Sequence, residues 1–484
     1  MITALEPASL WKHFNDLNAV PRPSKKEERV IEFMLNFGKS IGLTTIQDRI
    51  GNVIIKKPAT LGMENRQTVI LQSHLDMVHQ KNESTVFDFD QQGIEMLVDG
   101  DWVKANGTTL GADNGIGVAA IMAILSSSTI EHPAIEALFT IDEETGMTGA
   151  KELDPNHLNG TIMLNLDTED DDELSIGCAG GIDTNTRFTY TEELLADEKV
   201  VVKISLRGLV GGHSGMDIDK GRGNANKWMI RLLCHLRSLT ALQVVSMNGG
   251  SLRNAIPREA TAHIAIDKDM NSEIHKAIQE FSAVIKSEFQ HIEPDFIFSI
   301  DTDDQSHKMA LSITDTNRVM NMLYAIPNGV YRMSPSIPGL VETSSSLAII
   351  EIGKGVFTSQ SLQRSSVESS KGDIANVIRA GFEVIGAEVT QGGDYPGWSP
   401  NSSSPILNQM AELYRQLFDG EPQIKACHAG LECGILLQHL PKVDMISFGP
   451  NIRGAHSPDE CVQISSVQKF WKYLLATLKE IPMR

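Results

Sequence analysis

Cysteine is scarce: five in 484 residues, at Cys178, Cys234, Cys427, Cys433 and Cys461. None falls in a Cys-x-x-Cys pair, so neither a disulfide framework nor a thiolate zinc site is suggested. The five read as small buried apolar side chains in a reducing cytoplasm. No apolar run approaches the ~20 residues that a membrane span needs. The stretch from Met1 to Lys12 carries Glu6 and no basic segment followed by an apolar one, so no secretory signal is read there. Positive charge is also in deficit, with 42 Lys and Arg against 62 Asp and Glu and a net charge of −20. That balance argues against nucleic acid or an anionic membrane as partner. It suits a site that concentrates cations. The length exceeds what one core usually serves, so at least two domains are expected.

What is present is a series of short acid- and histidine-bearing segments in fixed order. They are Ser73-His74-Leu75-Asp76, Gly111-Ala112-Asp113-Asn114, Ile141-Asp142-Glu143-Glu144-Thr145-Gly146, Asn165-Leu166-Asp167 and Gly454-Ala455-His456-Ser457. Most close an apolar run, where a strand hands over to a loop and α/β enzymes place their chemistry. Together they supply ligands for two zinc ions with a carboxylate left over as a base. Neighbouring side chains on a strand point to opposite faces. Glu143 and Glu144 therefore serve one site only if the chain turns there, and Thr145-Gly146 allows it. One glutamate can then bind metal while the other takes a proton from water. His74 and Asp76 share a strand face, so Asp76 can hold the imidazole nitrogen that does not touch metal. Each segment alone has a plainer reading. Glu143-Glu144 is a solvated face, Asp113-Asn114-Gly115 a turn, and Asp167 the start of an acidic loop running to Glu173.

The chain organisation is α/β. Helices are expected over 7–17, 25–42 and 115–126, and strands over 68–71, 135–141 and 161–166. The pattern breaks near Cys178. Beyond it come a strand over 200–206, the Gly-rich segment Arg207 to Gly215, and a helix over 224–239. A hairpin over 242–266 turns at Asn248-Gly249-Gly250, and a helix follows over 272–292. A similar mixture recurs from Asp295 to Val389, ending in a helix over 371–386. Gly392 to Pro400 reads as a linker. Helices over 405–418, 432–439 and 465–481 and a strand over 443–448 complete the chain. All metal-type residues lie before Asp183 or after Asn401. The expected domains are thus residues 1–182 and 397–484 as one catalytic domain, with 183–396 inserted.

In this order the motifs resemble the zinc aminoacylase and carboxypeptidase-like metallopeptidases. Four stretches resemble their cytosolic non-specific (Xaa-His) dipeptidase branch: Ser73 to His79, Gly107 to Gly115, Tyr395 to Trp398, and His428 to Glu432. The resemblance spans essentially the whole chain. It implies a catalytic domain with a mixed sheet flanked by helices, plus an inserted α+β lid of two related halves. It implies that His74 and Asp167 hold one zinc, Glu144 and His456 the other, and that Asp113 bridges them. Cobalt or manganese can substitute. It implies Glu143 as general base, Asp76 as the group orienting His74, and a cis Asp113–Asn114 peptide bond. On the lid it implies His213, Asn254 and Arg364 as substrate contacts. His213 would polarise the scissile carbonyl and Arg364 would clamp a free carboxylate with its planar fork.

Without the resemblance, His213 reads as a structural turn histidine and Arg364 as an ordinary surface arginine. Glu432 suits a substrate ammonium or a helix start. The implied activity is hydrolysis of dipeptides with free termini, of broad specificity, including Xaa-His dipeptides such as carnosine, and cysteinylglycine. The rival classes are an amidohydrolase of N-acyl amino acids and a non-catalytic metal-binding scaffold. A homodimer through the lid is expected of relatives, although a lid of two halves can imitate that contact within one chain.

Overall fold

The computed structural model describes residues 2–302 and 307–484. They gather into two units. One is Met1–Gly177, Pro400–Ala426 and Leu431–Arg484; the other is Cys178–Ser399 with Cys427–Gly430. The second unit therefore starts a little before the expected Asp183 and ends a little after Pro396. The segment Cys427–Gly430, assigned from sequence to the catalytic part, groups with the second unit.

The first unit is built on an eight-stranded mixed sheet. In chain order its strands are β1 (Thr44–Gln47), β2 (Val53–Lys57), β3 (Val69–His74), β4 (Ile135–Thr140), β5 (Ile162–Asn165), β6 (Glu173–Cys178), β7 (Gln423–Cys427) and β8 (Asp444–Ser447). They lie in the order β1-β2-β4-β3-β5-β8-β6-β7. The four central strands β4, β3, β5 and β8 are mutually parallel. Every residue of β3, β4 and β5 is buried, as expected of a parallel sheet covered on both faces. Helix Ala112–Ser126 is apolar around its whole circumference and almost entirely buried. It crosses from β3 to β4, and its Gly117 lies where a Cβ would strike Ser73 and the Leu166 carbonyl. Because the central strands run the same way, the chain leaves β3, β4, β5 and β8 at one edge. That edge receives His74, Glu143, Glu144 and Asp167. A small four-stranded sheet pairs Cys461–Gln463 with Trp102–Ala105 on one side and with Ile452–Arg453 on the other. The hairpin loop 454–460 carries His456.

The second unit is one long antiparallel sheet with helices on its core face. Lys199–Arg207, Gln243–Gly249, Ala260–Asp267 and Ile297–Thr302 form one β-α-β-β-α-β half with helices Ala225–Leu236 and Asn271–Phe289. Gly180–Thr189, Val341–Gly353, Val356–Ser365 and Glu388–Tyr395 form the other, with helices Ile313–Ala325 and Glu368–Glu383. Across the sheet the strands of each half run fourth, first, third, second, so the two second strands meet. They pair antiparallel, Met247 opposite Ile352. These four helices bury Ile230, Leu233, Ile278, Phe281, Val319, Leu323, Ile378 and Phe382 against the sheet in one core.

The linker reading of 392–400 is corrected for its first part, 392–395; the remainder runs up to the unit boundary at Ser399. Glu388–Tyr395 is a strand paired with Gly180–Thr189 across a bulge, because glycines tolerate the irregular register that a bulge imposes. The turn expected at Asn248-Gly249-Gly250 is also corrected: Asn248 and Gly249 still pair as strand with Thr261 and Ala260, and the chain leaves the sheet only at Gly250, on a longer excursion. Gly250 has φ 78° against the Ala348 carbonyl, and the chain reaches Ala255–Ile256 before returning to the sheet.

Candidate active site

In the first unit, Asp113 stands between two histidines. Its Oδ1 is 3.2 Å from His74 Nε2 and its Oδ2 is 3.2 Å from His456 Nε2. Asp167 Oδ1 is 3.4 Å from His74 Nε2, and Glu144 Oε2 is 3.0 Å from His456 Nε2. Two three-ligand groups result, His74–Asp113–Asp167 and Asp113–Glu144–His456, each with its ligand atoms within 4.8 Å of one another. A third, His74–Glu143–Glu144, meets the same limit.

The local folding explains the arrangement. His74 ends β3 and is 1% exposed. The Asp113–Asn114 peptide bond is cis, as the resemblance implied, and Asn114 Nδ2 donates to the Leu166 carbonyl beside Asp167 at 2.5 Å. The turn that brings both glutamates to the site is held by Asp76. Its Oδ1 accepts the Glu143 N–H at 3.0 Å, and its Oδ2 accepts the Glu144 N–H at 3.3 Å and the Ser24 hydroxyl at 2.8 Å. This refines the expected link to His74, whose Nδ1 lies 3.1 Å from the Asp76 carbonyl and 3.6 Å from its carboxylate. His456 has φ 65°, a left-handed conformation uncommon outside glycine and often found at functional positions.

The electrostatics are those of an acidic pocket wanting cations. Hydrogen bonds to Asp113 and Glu144 hold the His456 imidazolium up at about 11. Burial lowers the His74 pKa, but Asp167 and Asp113 outweigh it and hold the ring protonated. Burial, with Asp113 and Glu144 nearby, pushes Asp167 up to about 6. Burial also raises Glu143 well above the ordinary carboxylate range, against the pull of His74. Glu144 Oε1 is buried with no hydrogen-bond partner, a state that normally costs stability. Imidazole and carboxylate donors with an unpartnered buried oxygen fit divalent metal ions, which would displace the imidazole protons. Nearby, Glu432 is 1% exposed. Its Oε2 accepts Gln72 Nε2 at 2.6 Å and the Thr140 hydroxyl at 2.9 Å, while Oε1 has no partner. Burial pushes its pKa up to about 7.

In the second unit, Gly212–His213 pairs with Ala255–Ile256, which sets His213 beside the exposed Asn254. His213 Nδ1 accepts the N–H groups of Gly215 and Met216 at 3.2 and 3.0 Å. The neutral ring therefore carries its proton on Nε2. Burial, then Arg364, lowers the His213 pKa. Arg364 is 4% exposed, donates to the Tyr395 hydroxyl at 2.7 Å, and leaves Nε without a partner. A Cβ on Gly215 would touch Arg364 Nε, His213 and the His428 carbonyl, so these three residues crowd one point. His428 and Tyr395 were seen in sequence only as motif members. Arg22 and Glu460, both buried beside Asp113, were not singled out. The one trace of Arg22 was its place between two prolines.

A cluster of histidine and carboxylate side chains at the carboxyl edge of parallel strands is the kind of site that metal-dependent hydrolases use. Residues 70–480 match peptidase family M20/M25/M40, and the chain belongs to that family. The cytosol non-specific dipeptidase of Escherichia coli is 40% identical over 483 residues, covering 100% of this chain and 99% of that one. The crystal structure of aminoacylhistidine dipeptidase from Vibrio alginolyticus is 42% identical, with a TM-score of 0.96 over 100% of this chain and 99% of that one. Aminopeptidase PepT from Bacillus cereus shares the fold at 15% identity, with a TM-score of 0.57 over 99% of both chains.

Proposed function

We propose that this chain is a dipeptidase that holds two zinc ions and hydrolyses dipeptides with both termini free. Its range is broad, including Xaa-His dipeptides such as carnosine, and cysteinylglycine, and it works in the cytoplasm on small peptides. Full-length identity to two relatives named for dipeptides supports the substrate class. The observation that carries the chemistry is the Asp113 carboxylate, which turns one oxygen to each histidine.

His74 and Asp167 would hold one ion, Glu144 and His456 the other, with Asp113 shared. Such ions supply a polarised carbonyl and a water acidic enough to react near neutral pH. Nitrogen and oxygen donors suit zinc, and also cobalt and manganese.

The remaining work falls to the chain's own groups. Glu143, whose ionised carboxylate burial makes a stronger base than an exposed one, takes the proton of the attacking water and returns it to the leaving amine. Asp76 keeps Glu143 in place through its backbone N–H. Residues 183–396 act as the inserted lid. From it His213 donates its Nε2 proton to the carbonyl oxygen, where negative charge develops. Asn254 adds a polar contact, and Arg364 takes the substrate carboxylate. The unpartnered Oε1 of Glu432 takes the substrate ammonium.

The test is a comparison of free dipeptides with N-acetyl amino acids, with and without chelator. Chelator-sensitive release of amino acids from dipeptides alone is the expected result. Preference for N-acetyl amino acids would move the chain to the amidohydrolases, and no turnover of either would make it a binding protein.

A further inference from the structure

One buried carboxylate beside the site has no part in the reaction above. Glu460 is 2% exposed. Its Oε2 accepts the N–H groups of Leu110 and Gly111 at 2.7 and 2.9 Å, and its Oε1 those of Ala112 and Asp113 at 2.8 and 3.2 Å. Consecutive amides turned to one point make a concave anion site, and such sites commonly hold phosphate or a cluster. Here the protein's own glutamate fills it. The opposite side of the segment is held by Arg22, 1% exposed, which donates to the Gly111 carbonyl at 2.6 Å and to the carbonyls of Leu75 and Asp76 at 3.0 and 3.1 Å. Two buried charges of opposite sign thus grip the backbone on which Asp113 stands.

The anchoring residue has a telling position. Glu460 closes the hairpin loop 454–460, the loop that presents His456. That loop is tied within itself by Ser457 N–H to the Gly454 carbonyl and Glu460 N–H to the Ser457 carbonyl, both at 3.1 Å. It leaves directly into Cys461–Gln463, which pairs with Trp102–Ala105 at the head of the Asp113 segment. The same short loop therefore sets His456 against the Asp113 carboxylate and Glu460 against the Asp113 backbone.

We propose that Glu460 is a positioning residue that fixes the register between the His456 loop and the Asp113 loop, and so sets the spacing of the metal ligands around the shared Asp113 carboxylate. Outer groups that orient metal ligands typically affect metal affinity or activity by ~10–100-fold. The proposal rests on the two-metal reading above, and the experiment keeps the two apart.

Cobalt(II) is titrated into metal-free wild type, Glu460→Gln and Glu460→Asp, followed by cobalt absorption bands and by competition with a chelator. Wild type should take up two ions. Glu460→Gln keeps the size but places an NH2 against two backbone N–H donors. It should bind at least one ion ~10–100-fold more weakly, with altered cobalt bands. Glu460→Asp keeps the charge and should recover part of the affinity. Two ions bound by Glu460→Gln within threefold of wild type, with unchanged bands, would overturn the positioning role alone. A wild type that takes up no cobalt would sink the metal reading and this proposal with it. Should Glu460→Gln fail to fold, amide hydrogen exchange in metal-free wild type decides. Protection of Leu110 to Asp113 comparable to the centre of β3 supports the clamp. Exchange as fast as in the open loop before Phe87 overturns it.

Discussion

Replacing Glu143 by glutamine should separate the base from the ligands. Geometry alone leaves two assignments open, because His74–Glu143–Glu144 also meets the spacing of a metal group. The distances favour Glu144 as ligand: its Oε2 is 3.0 Å from His456 Nε2, and its other oxygen is buried without a partner. Glu143→Gln preserves the volume of the side chain and leaves its backbone N–H on Asp76 Oδ1. The turn should therefore survive and metal content should remain at two ions. What is lost is the proton shuttle, typically ~10²–10⁴-fold in rate, or about 2.7–5.4 kcal/mol at 1.36 kcal/mol per decade. Glu144→Gln should instead lower the affinity for the ion on the His456 side. The assay is amino-acid release from a dipeptide at saturating zinc, with metal per chain measured on the same samples. Should Glu143→Gln lose metal in step with activity while Glu144→Gln keeps it, the two roles are reversed.

Arg364→Ala should cut kcat/KM for a free dipeptide by at least ~30-fold, the lower end of the range for truncating a buried charged partner, and leave zinc content unchanged. A dipeptide amide, already poor with wild type, should change little; equal losses on both substrates would remove Arg364 from the carboxylate. Glu432→Gln should raise KM for free dipeptides while narrowing the gap to N-acetylated ones, and an unchanged ratio would return Glu432 to a structural role. Burial, reinforced by Arg364, lowers the His428 pKa to about 3. The unfolded chain, with an ordinary value near 6.5, binds that proton first. The stability His428 contributes is thus fully present above pH ~6.5 and is lost toward pH 3, at ~1.4 kcal/mol per pH unit. The unfolding free energy of wild type relative to His428→Gln should accordingly fall by ~2 kcal/mol between pH 7 and pH 5, and a constant difference would refute the assignment. Zinc added to metal-free protein should raise the thermal midpoint with the logarithm of free zinc over its dissociation constant and release protons; the absence of both effects in calorimetry would contradict the two-metal site.

The clustered histidines and carboxylates were legible because metal ligation restricts residue type. His74, Glu143, Glu144 and Asp167 stand at the ends of apolar runs, and the parallel strands β3, β4 and β5 explain why such ends meet; Asp113 comes from the start of helix Ala112–Ser126 and His456 from the hairpin loop 454–460. The helix over 405–418 was equally legible, with Ser404 capping the Leu407 N–H and Pro405 at its first position. The strand Glu388–Tyr395 was not, because Gly392 and Gly393 carry the composition of a linker while pairing with Gly180–Thr189 decides the structure. Cys427–Gly430 was misassigned for a related reason. Its partners, the Ala179 N–H to the carbonyls of Cys427 and Ala429, are backbone groups far away in sequence, and backbone partners leave no mark on local residue type.

The same reasoning locates what sequence inspection of such a site passes over. Asp76 was read as a partner for the His74 ring, since a carboxylate two residues away on a strand faces it. Yet its oxygens chiefly hold the N–H groups of Glu143 and Glu144. Glu460 and Arg22 likewise grip main-chain groups from across the unit. In each case a buried charge is satisfied by peptide dipoles, which any sequence supplies. Ligand residues can thus be read from pattern, whereas the groups that aim them bind backbone and become visible only once the fold has assembled them. Side-chain signals should therefore find the reacting atoms of a metal site of this kind more reliably than the scaffold that sets their spacing. The metal affinity of Glu460→Gln measures how much of the site that unseen scaffold holds in place.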